Sequence, residues 1–148
     1  MLAKVALIPL ASAALAGAGP ALPAAKTFTV PLSPDAHARV LQASGLAADS
    51  AGPGLVRLTV DPGSRRICYD FSVDDLATPL MAHIHKGSKR DTGPSVVTLF
   101  TGPGGDLDDC LIWTEKWLAE IVANPTDFYV NLYTTEYPEG ALRGQLLG

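Results

Sequence analysis

The chain predicts a mostly β fold, an antiparallel sandwich or barrel with one short helix. Two observations carry that expectation. Several short segments alternate apolar and polar residues with the period of a half-buried strand, and turns rich in glycine and proline, 14 and 12 in all, separate them. Only one stretch, residues 115–123, carries a convincing apolar stripe at helical spacing. Short strands joined by tight turns, with little helix to cover a sheet, are the pattern of two sheets packed face to face or one sheet closed on itself.

The opening segment is of a different kind. Lys4 is followed by an apolar run from Val5 to Leu15 and then by small residues and prolines, "GAGPALPAAK". That order predicts a secretory signal peptide over residues 1–25, too short to span a bilayer. Cleavage could follow Ala18, or fall near Ala24 or Ala25, and the later site is favoured. Removing it leaves roughly 123 residues, 26–148, the size of one domain with one core. The expected product is secreted or periplasmic, with no stable membrane insertion after signal cleavage. The formal charge of −4 argues against nucleic acid as a partner, since such proteins carry basic patches.

"KTFTVPL" reads as extended, and "SPDAHARVLQASG" as a helix with Ser33 as cap, Pro34 in the first turn and Gly45 at the close. "LVRLTVD" and "ICYDFSV" alternate and flank the turn "PGSRR", which makes a hairpin. "AHIH" and "SVVTLF" are strands on either side of the loop "KGSKRDTGP", and "TGPGGDLDD" reads as loop. "TEKWLAEIVANP" is the helix, capped by Thr114 or a neighbour, with Glu115 in its first turn and Asn124-Pro125 stopping it. "DFYVNLYT" and "ALRGQLL" close the chain as a hairpin around "TEYPEG".

Cys68 and Cys110 are the only cysteines. An even count in an exported protein predicts a disulfide in preference to a pair of metal-ligating thiolates, which would want C-x-x-C spacing. The loop it closes, roughly 40 residues, gives about 3–4 kcal/mol in the chain-entropy model.

Alternation also sorts the polar residues by face. His83 and His85 point away from Ala82 and Ile84. Tyr129, Asn131 and Tyr133 oppose Phe128, Val130 and Leu132, and Arg143 and Gln145 oppose Leu142, Gly144 and Leu146. If these strands are neighbours, His83, His85, Asn131, Tyr133, Arg143 and Gln145 form one cluster of groups that make directed hydrogen bonds. Such a cluster can be a ligand site, a buried structural network, or an ordinary wet face. His83 and His85 could both reach one copper or zinc ion, but the site needs a further ligand; only His37 remains among the histidines, and no spacing singles out Tyr133, Asp70 or a loop aspartate instead. Lys86, Lys89 and Arg90 follow at once and could draw an anion toward His85, although an ordinary solvated loop is the favoured reading. Asp74-Asp75 and Asp108-Asp109 are expected in loops as turn or solvated residues. No phosphate-binding loop, dinucleotide fingerprint or G-x-S-x-G motif is present.

With these residues in hand, the chain resembles the chordin-type (CHRD) domain family, found as repeats in chordin, an extracellular inhibitor of bone morphogenetic proteins, and in many exported bacterial proteins. The resemblance rests on "AHIHKG" at 82–87, "GP" at 93–94 and "NPTDFYVNLYTTEYPEGALRGQL" at 124–146, and covers about Gly54 to the end. It implies an extracellular immunoglobulin-like β-barrel or sandwich, and Cys68 and Cys110 match places where bacterial members often carry a cysteine pair. Two departures stand out. Tyr133 occupies a position where members commonly have histidine, and an early Glu-Val-Pro motif is missing where "SPDAHARVLQASG" stands. A three-histidine metal site is thereby made less expected. The H-x-H followed by a glycine loop is similar to copper/zinc superoxide dismutases only at the level of fold analogy.

The resulting expectation is an exported binding or structural module that uses the face around His83, His85 and Arg143. Its partner would be an extracellular protein, a glycan or a small molecule. The alternative is a small secreted enzyme using the same cluster, metal-assisted or by acid–base chemistry with a histidine and Tyr133. A third reading makes the cluster a polar brace without a ligand.

Overall fold

The computed structural model describes residues 19–35, 53–114 and 116–148. Eight strands form one antiparallel sheet that curls into a sandwich-like, nearly closed barrel, as the alternating segments predict. They are β1 (Lys26–Pro34), β2 (Gly54–Asp61), β3 (Arg66–Val73), β4 (Pro79–Lys86), β5 (Ser95–Thr101), β6 (Asp108–Ile112), β7 (Phe128–Thr134) and β8 (Leu142–Gln145). Their order across the sheet is β5-β4-β7-β8-β1-β2-β3-β6. A helix, α1 (Trp117–Ala123), precedes a short 3-10 turn at Pro125–Asp127.

β1 joins the two halves. Lys26 to Leu32 pair with β2, whereas Ser33 and Pro34 pair with Arg143 and Leu142 of β8. One strand therefore changes sheets along its length, a common way to turn a corner between packed sheets. β8 approaches so closely here that a Cβ on Gly144 would stand 2.5 Å from the Pro31 carbonyl oxygen, so this position needs glycine.

The expected alternation becomes the core. Phe28, Val30 and Leu32 of β1 are buried together with Val56, Leu58 and Val60 of β2, Ile67, Tyr69 and Phe71 of β3, Ala82 and Ile84 of β4, and Phe128, Val130 and Leu132 of β7. α1 contributes Leu118 and Ile121. Its first turn is tied from outside: Lys86, at the end of β4, pairs with Glu120 and lies 5.4 Å from the Trp117 ring centroid. The β2–β3 turn is held by Asp61, whose carboxylate accepts from the Gly63 and Ser64 amides and the Ser64 hydroxyl.

Three sequence expectations need correction. Ser33 and Pro34 do not begin a helix; they end β1, because β8 needs a hydrogen-bonding neighbour and the buried alternation carries the strand that far. The remainder of that predicted helix, like His37 and Gly45, lies outside the described residues, as do residues 1–18 of the expected signal peptide. Asp108 and Asp109 are not loop residues. They open β6, where pairing with β3 overrides the poor strand propensity of aspartate. α1 is shorter than residues 115–123 and no side chain caps it: Lys116 stands at its N-cap, not Thr114. Glu115 lies outside the described residues.

Cys68 and Cys110 stand directly opposite each other in the β3–β6 ladder and form the expected disulfide. β6 is an edge strand of five residues, so this bond fixes the strand with least support. Replacing both cysteines by serine should lower unfolding free energy by about 3–4 kcal/mol, read from the urea midpoint. Hydrogen-exchange protection should fall first at β6.

Candidate functional site

The register of four neighbouring strands assembles the predicted polar face. His83 pairs with Asn131 and Asn131 with Arg143, and Arg143 with Ser33 of β1. One step along, His85 pairs with Tyr129 and Tyr129 with Gln145. Tyr133 flanks the first row, opposite Met81. All six residues singled out from the sequence therefore lie on one face, away from the core, and Tyr129 lies among them.

The face is not open. Residues 87–94, which connect β4 to β5, fold across it and are held by side chains from β4, β7 and β8. One terminal nitrogen of Arg143 donates to the carbonyl oxygens of Ser88 at 2.8 Å and Asp91 at 2.9 Å. The Gln145 amide nitrogen lies 3.0 Å from Gly87 O, 2.7 Å from Thr126 O and 2.8 Å from Phe128 O. His85 Nδ1 lies 2.9 Å from Gly93 O, and the Gly93 amide donates to the Tyr129 hydroxyl at 3.1 Å. Within the loop, the Asp91 carboxylate accepts from the Ser88 hydroxyl and amide. Gly93 packs so tightly that a Cβ would sit 1.6 Å from Lys86 O; no other residue fits there.

These bonds fix the chemistry of His85. A carbonyl can only accept, so Nδ1 carries the ring proton. Nε2 is then an acceptor, and the Tyr133 hydroxyl donates to it at 3.0 Å. His85 also stacks on Tyr129, centroids 4.9 Å apart and planes within 9°. The Arg143 guanidinium carbon lies 3.4 Å from the centroid of the same Tyr129 ring, a cation–π contact worth about 0.5–2 kcal/mol. Burial lowers the pKa of His85, with the Arg143 charge adding to the effect and the Gly93 bond opposing it. Burial also lowers the pKa of His83, and His85 contributes. Tyr133 is raised, again chiefly by burial, against a hydrogen bond from Asn131. At neutral pH the face therefore holds two neutral imidazoles and an un-ionised phenol.

His83 sits beside this network, its ring centroid 5.7 Å from His85 and 5.5 Å from Tyr133. Among the described residues no group of three His, Cys, Asp or Glu gathers as metal ligands. The two histidines remain a pair, and both ring nitrogens of His85 are engaged with protein groups.

Beside the loop a cleft of about 490 Å³ opens over Tyr133 and Asn131, walled by Arg143, Lys89 and Arg90 and by Asp35 and Glu139. A second hollow, about 320 Å³, shares Asp35, Lys89 and Arg143 with it. Asn131 is only 7 % exposed, and its Oδ1 has no hydrogen-bond partner. Sequence reasoning missed Asp35 and Glu139 as wall residues. It set Tyr129 on the polar face but left it out of the cluster, although alternation with Asn131 and Tyr133 already pointed to it.

An antiparallel β-sandwich with a polar cleft beside a clamped loop defines a small β-domain. A family model, the CHRD domain, matches residues 24–146, and the chain belongs to that family. The match begins well upstream of Gly54, where the motif resemblance starts, so β1 is part of the family domain. No curated protein and no solved structure matches the chain.

Two outcomes follow from the clamp and the half-buried histidines. Arg143→Ala returns two exposed loop carbonyls to water and should cost about 0.5–1.5 kcal/mol, with amide exchange accelerated at 88–93 well before the core strands. The sign of the pH effect comes from the lowered histidine pKa values. Below about 6.5, the ordinary value, the unfolded chain takes up protons that folded His83 and His85 refuse. Stability should be flat above that pH, fall as pH drops through it, and level off below the folded-state values. Asp61 and Asp91, held below 3.8 mainly by their serine hydroxyls, act only in a separate, more acid window. Unfolding midpoints from pH 5 to 8 check this, and His83→Asn should flatten the slope.

Proposed function

We propose that the chain is an exported binding module that receives a polar ligand in the cleft beside the 87–94 loop. One observation carries this reading: Asn131, nine-tenths buried in the cleft wall, keeps an acceptor oxygen without a partner. Buried acceptors in folded proteins almost always have partners, and those that do not call for a water or a ligand. The cleft has the volume of small-molecule sites. Its walls come from strands of a rigid sheet and a loop pinned at several points, so little ordering is left to be done on binding.

The arrangement favours binding over catalysis. Tyr133 has its pKa raised by burial, and its hydroxyl occupies His85 Nε2, so a substrate would have to displace Tyr133 to reach that nitrogen. A copper or zinc ion would have to take His85 Nε2 from Tyr133 and find ligands beyond the histidine pair. Export is supported by the disulfide, and none of the helices among the described residues is long and apolar enough to cross a membrane.

A thermal-shift survey of polar small molecules, saccharides and metal salts tests the proposal. Hits should raise the melting temperature of the wild type and of His83→Ala. They should lose at least most of their effect in Asn131→Leu, provided that variant folds, as circular dichroism would show. Hits that ignore Asn131→Leu, or equal shifts with copper or zinc that vanish in His83→Ala/His85→Ala, would overturn it.

A further inference from the structure

β6 is an end strand of the sheet, with β3 on one side and no strand among the described residues on the other. Its pairing fixes which peptide groups are left over. The Phe71 amide donates to Leu107 O and the Trp113 amide to Arg65 O, so alternate residues from Leu107 to Trp113 bond to β3. In an antiparallel ladder the residues between them turn their N–H and C=O groups the other way. Asp108, Cys110 and Ile112 therefore face the open edge with their backbone. The Cys110 amide is met there by Oδ1 of Asp109 at 2.7 Å, and Ile112 is 64 % exposed. The disulfide joins β6 to β3 at Cys110, so the edge is held in strand geometry before any partner arrives.

Charge decides what can pair there. Asp106, Asp108 and Asp109 are exposed, and Asp70 of β3 stands directly opposite Asp108. Arg57 of β2 lies across from Asp70, but none of the four acids is in an ion pair among the described residues. Their field reaches Tyr69, whose pKa is raised first by burial and then by Asp109, Asp106 and Asp108. An open edge ordinarily invites a second copy or any apolar segment. Two β6 edges brought together would set one acidic run against another, and an apolar strand would desolvate the carboxylates with nothing to offset the cost. A strand with cations at the Asp108 end meets neither penalty, since opposite charges across a ladder attract. Its carbonyl would take the Cys110 amide from Asp109, which frees that carboxylate for the cation. The other end strand, β5, has no ionisable residue and offers no such selection.

We infer that the free edge of β6 takes up an extended basic segment of another protein as an added antiparallel strand. Lysine or arginine lies opposite Asp108, with an apolar residue opposite Ile112, four positions away on the same face. None of these residues lines the cleft, so the surface stands whether or not the cleft holds a ligand.

The test titrates the purified, disulfide-intact protein with millimolar peptide and follows its amide resonances. The probe is acetyl-Val-Thr-Ala-Thr-Lys-Thr-Lys-amide, which sets Val against Ile112, the first Lys against Asp108 and the second toward Asp106. One control replaces both lysines by glutamate. Another is N-methylated at Ala and the first Lys, so it keeps its charges and loses two ladder donors. The basic peptide should shift the amides of Asp108, Cys110 and Ile112, slow their exchange, and leave Asn131 and Tyr133 unmoved. The N-methylated peptide should bind about tenfold more weakly, and the glutamate peptide should not bind. Asp108→Asn/Asp109→Asn, at exposed positions, should weaken the basic peptide about fivefold with an unchanged circular dichroism spectrum. Equal binding of the N-methylated peptide would overturn strand addition, and equal binding of the glutamate peptide would overturn the basic partner. Absence of shifts at β6 with every peptide would overturn the edge as a docking site. Protection of the same amides that grows with protein concentration alone, with a dimer in sedimentation, would make a second copy the occupant and overturn the proposal too.

Discussion

One nitrogen of Arg143 reaches two backbone carbonyls, those of Ser88 and Asp91, and much of the polar face depends on that contact. It draws the β4–β5 loop over the sheet and sets the loop cations at the rim of the cleft. With the loop in place, Gly93 lies against both His85 and Tyr129, so that one residue's carbonyl and amide orient two side chains. Lysine would bring charge to the same spot but no rigid fork of donors and no flat surface to lie on the Tyr129 ring. The loop's short sequence of glycine and polar residues could not hold this shape unaided. Its internal Ser88–Asp91 turn shapes only its tip.

The sheet's architecture explains why the site falls on this half of the molecule. β2, β3 and β6 form a run stitched by the disulfide and closed by a tight turn. β4, β7 and β8 present the rows of polar residues. β1 belongs to both, through β2 along most of its length and β8 at its end. The residue that follows its last paired position, Asp35, donates its amide to Ala141 O and stands in the cleft wall. The strand that joins the two halves thus also delivers an acid to the site.

Much of this was legible in the sequence, for a physical reason. Ala82/Ile84 against His83/His85, and Val130/Leu132 against Asn131/Tyr133, differ in polarity at every step, so a period of two fixes which face is core. What the sequence hid were relations between distant segments. β6 is rich in aspartate and becomes a strand only because β3 offers an unpaired edge. Ser33 and Pro34 look like a helix start until β8 is beside them. The division of labour within the cluster was hidden for the same reason. Arg143, Gln145 and His85 are directed at backbone carbonyls of the loop, and a carbonyl leaves no mark in a sequence. Only Gly93, admitted because nothing larger clears Lys86 O, hints at that close approach.

The reading of the cluster as a brace and its reading as a site are therefore not rivals. The side chains that brace the loop are the ones that make the cleft rigid, and the loop they brace supplies two of its three cations. A ligand that engages Lys89 and Arg90 on the loop and Asn131 on β7 binds only the clamped arrangement, so it must stabilise the clamp by its own binding free energy. The converse holds by linkage: whatever tightens the clamp raises affinity, and whatever loosens it lowers affinity by the same factor. Protonation of His85 is one such influence, because its Nε2 would no longer accept from Tyr133 and its charge would face Arg143 across the Tyr129 ring. Acidity thus opposes the clamp, through the half-buried neutral histidine that Gly93 and Tyr133 hold in place.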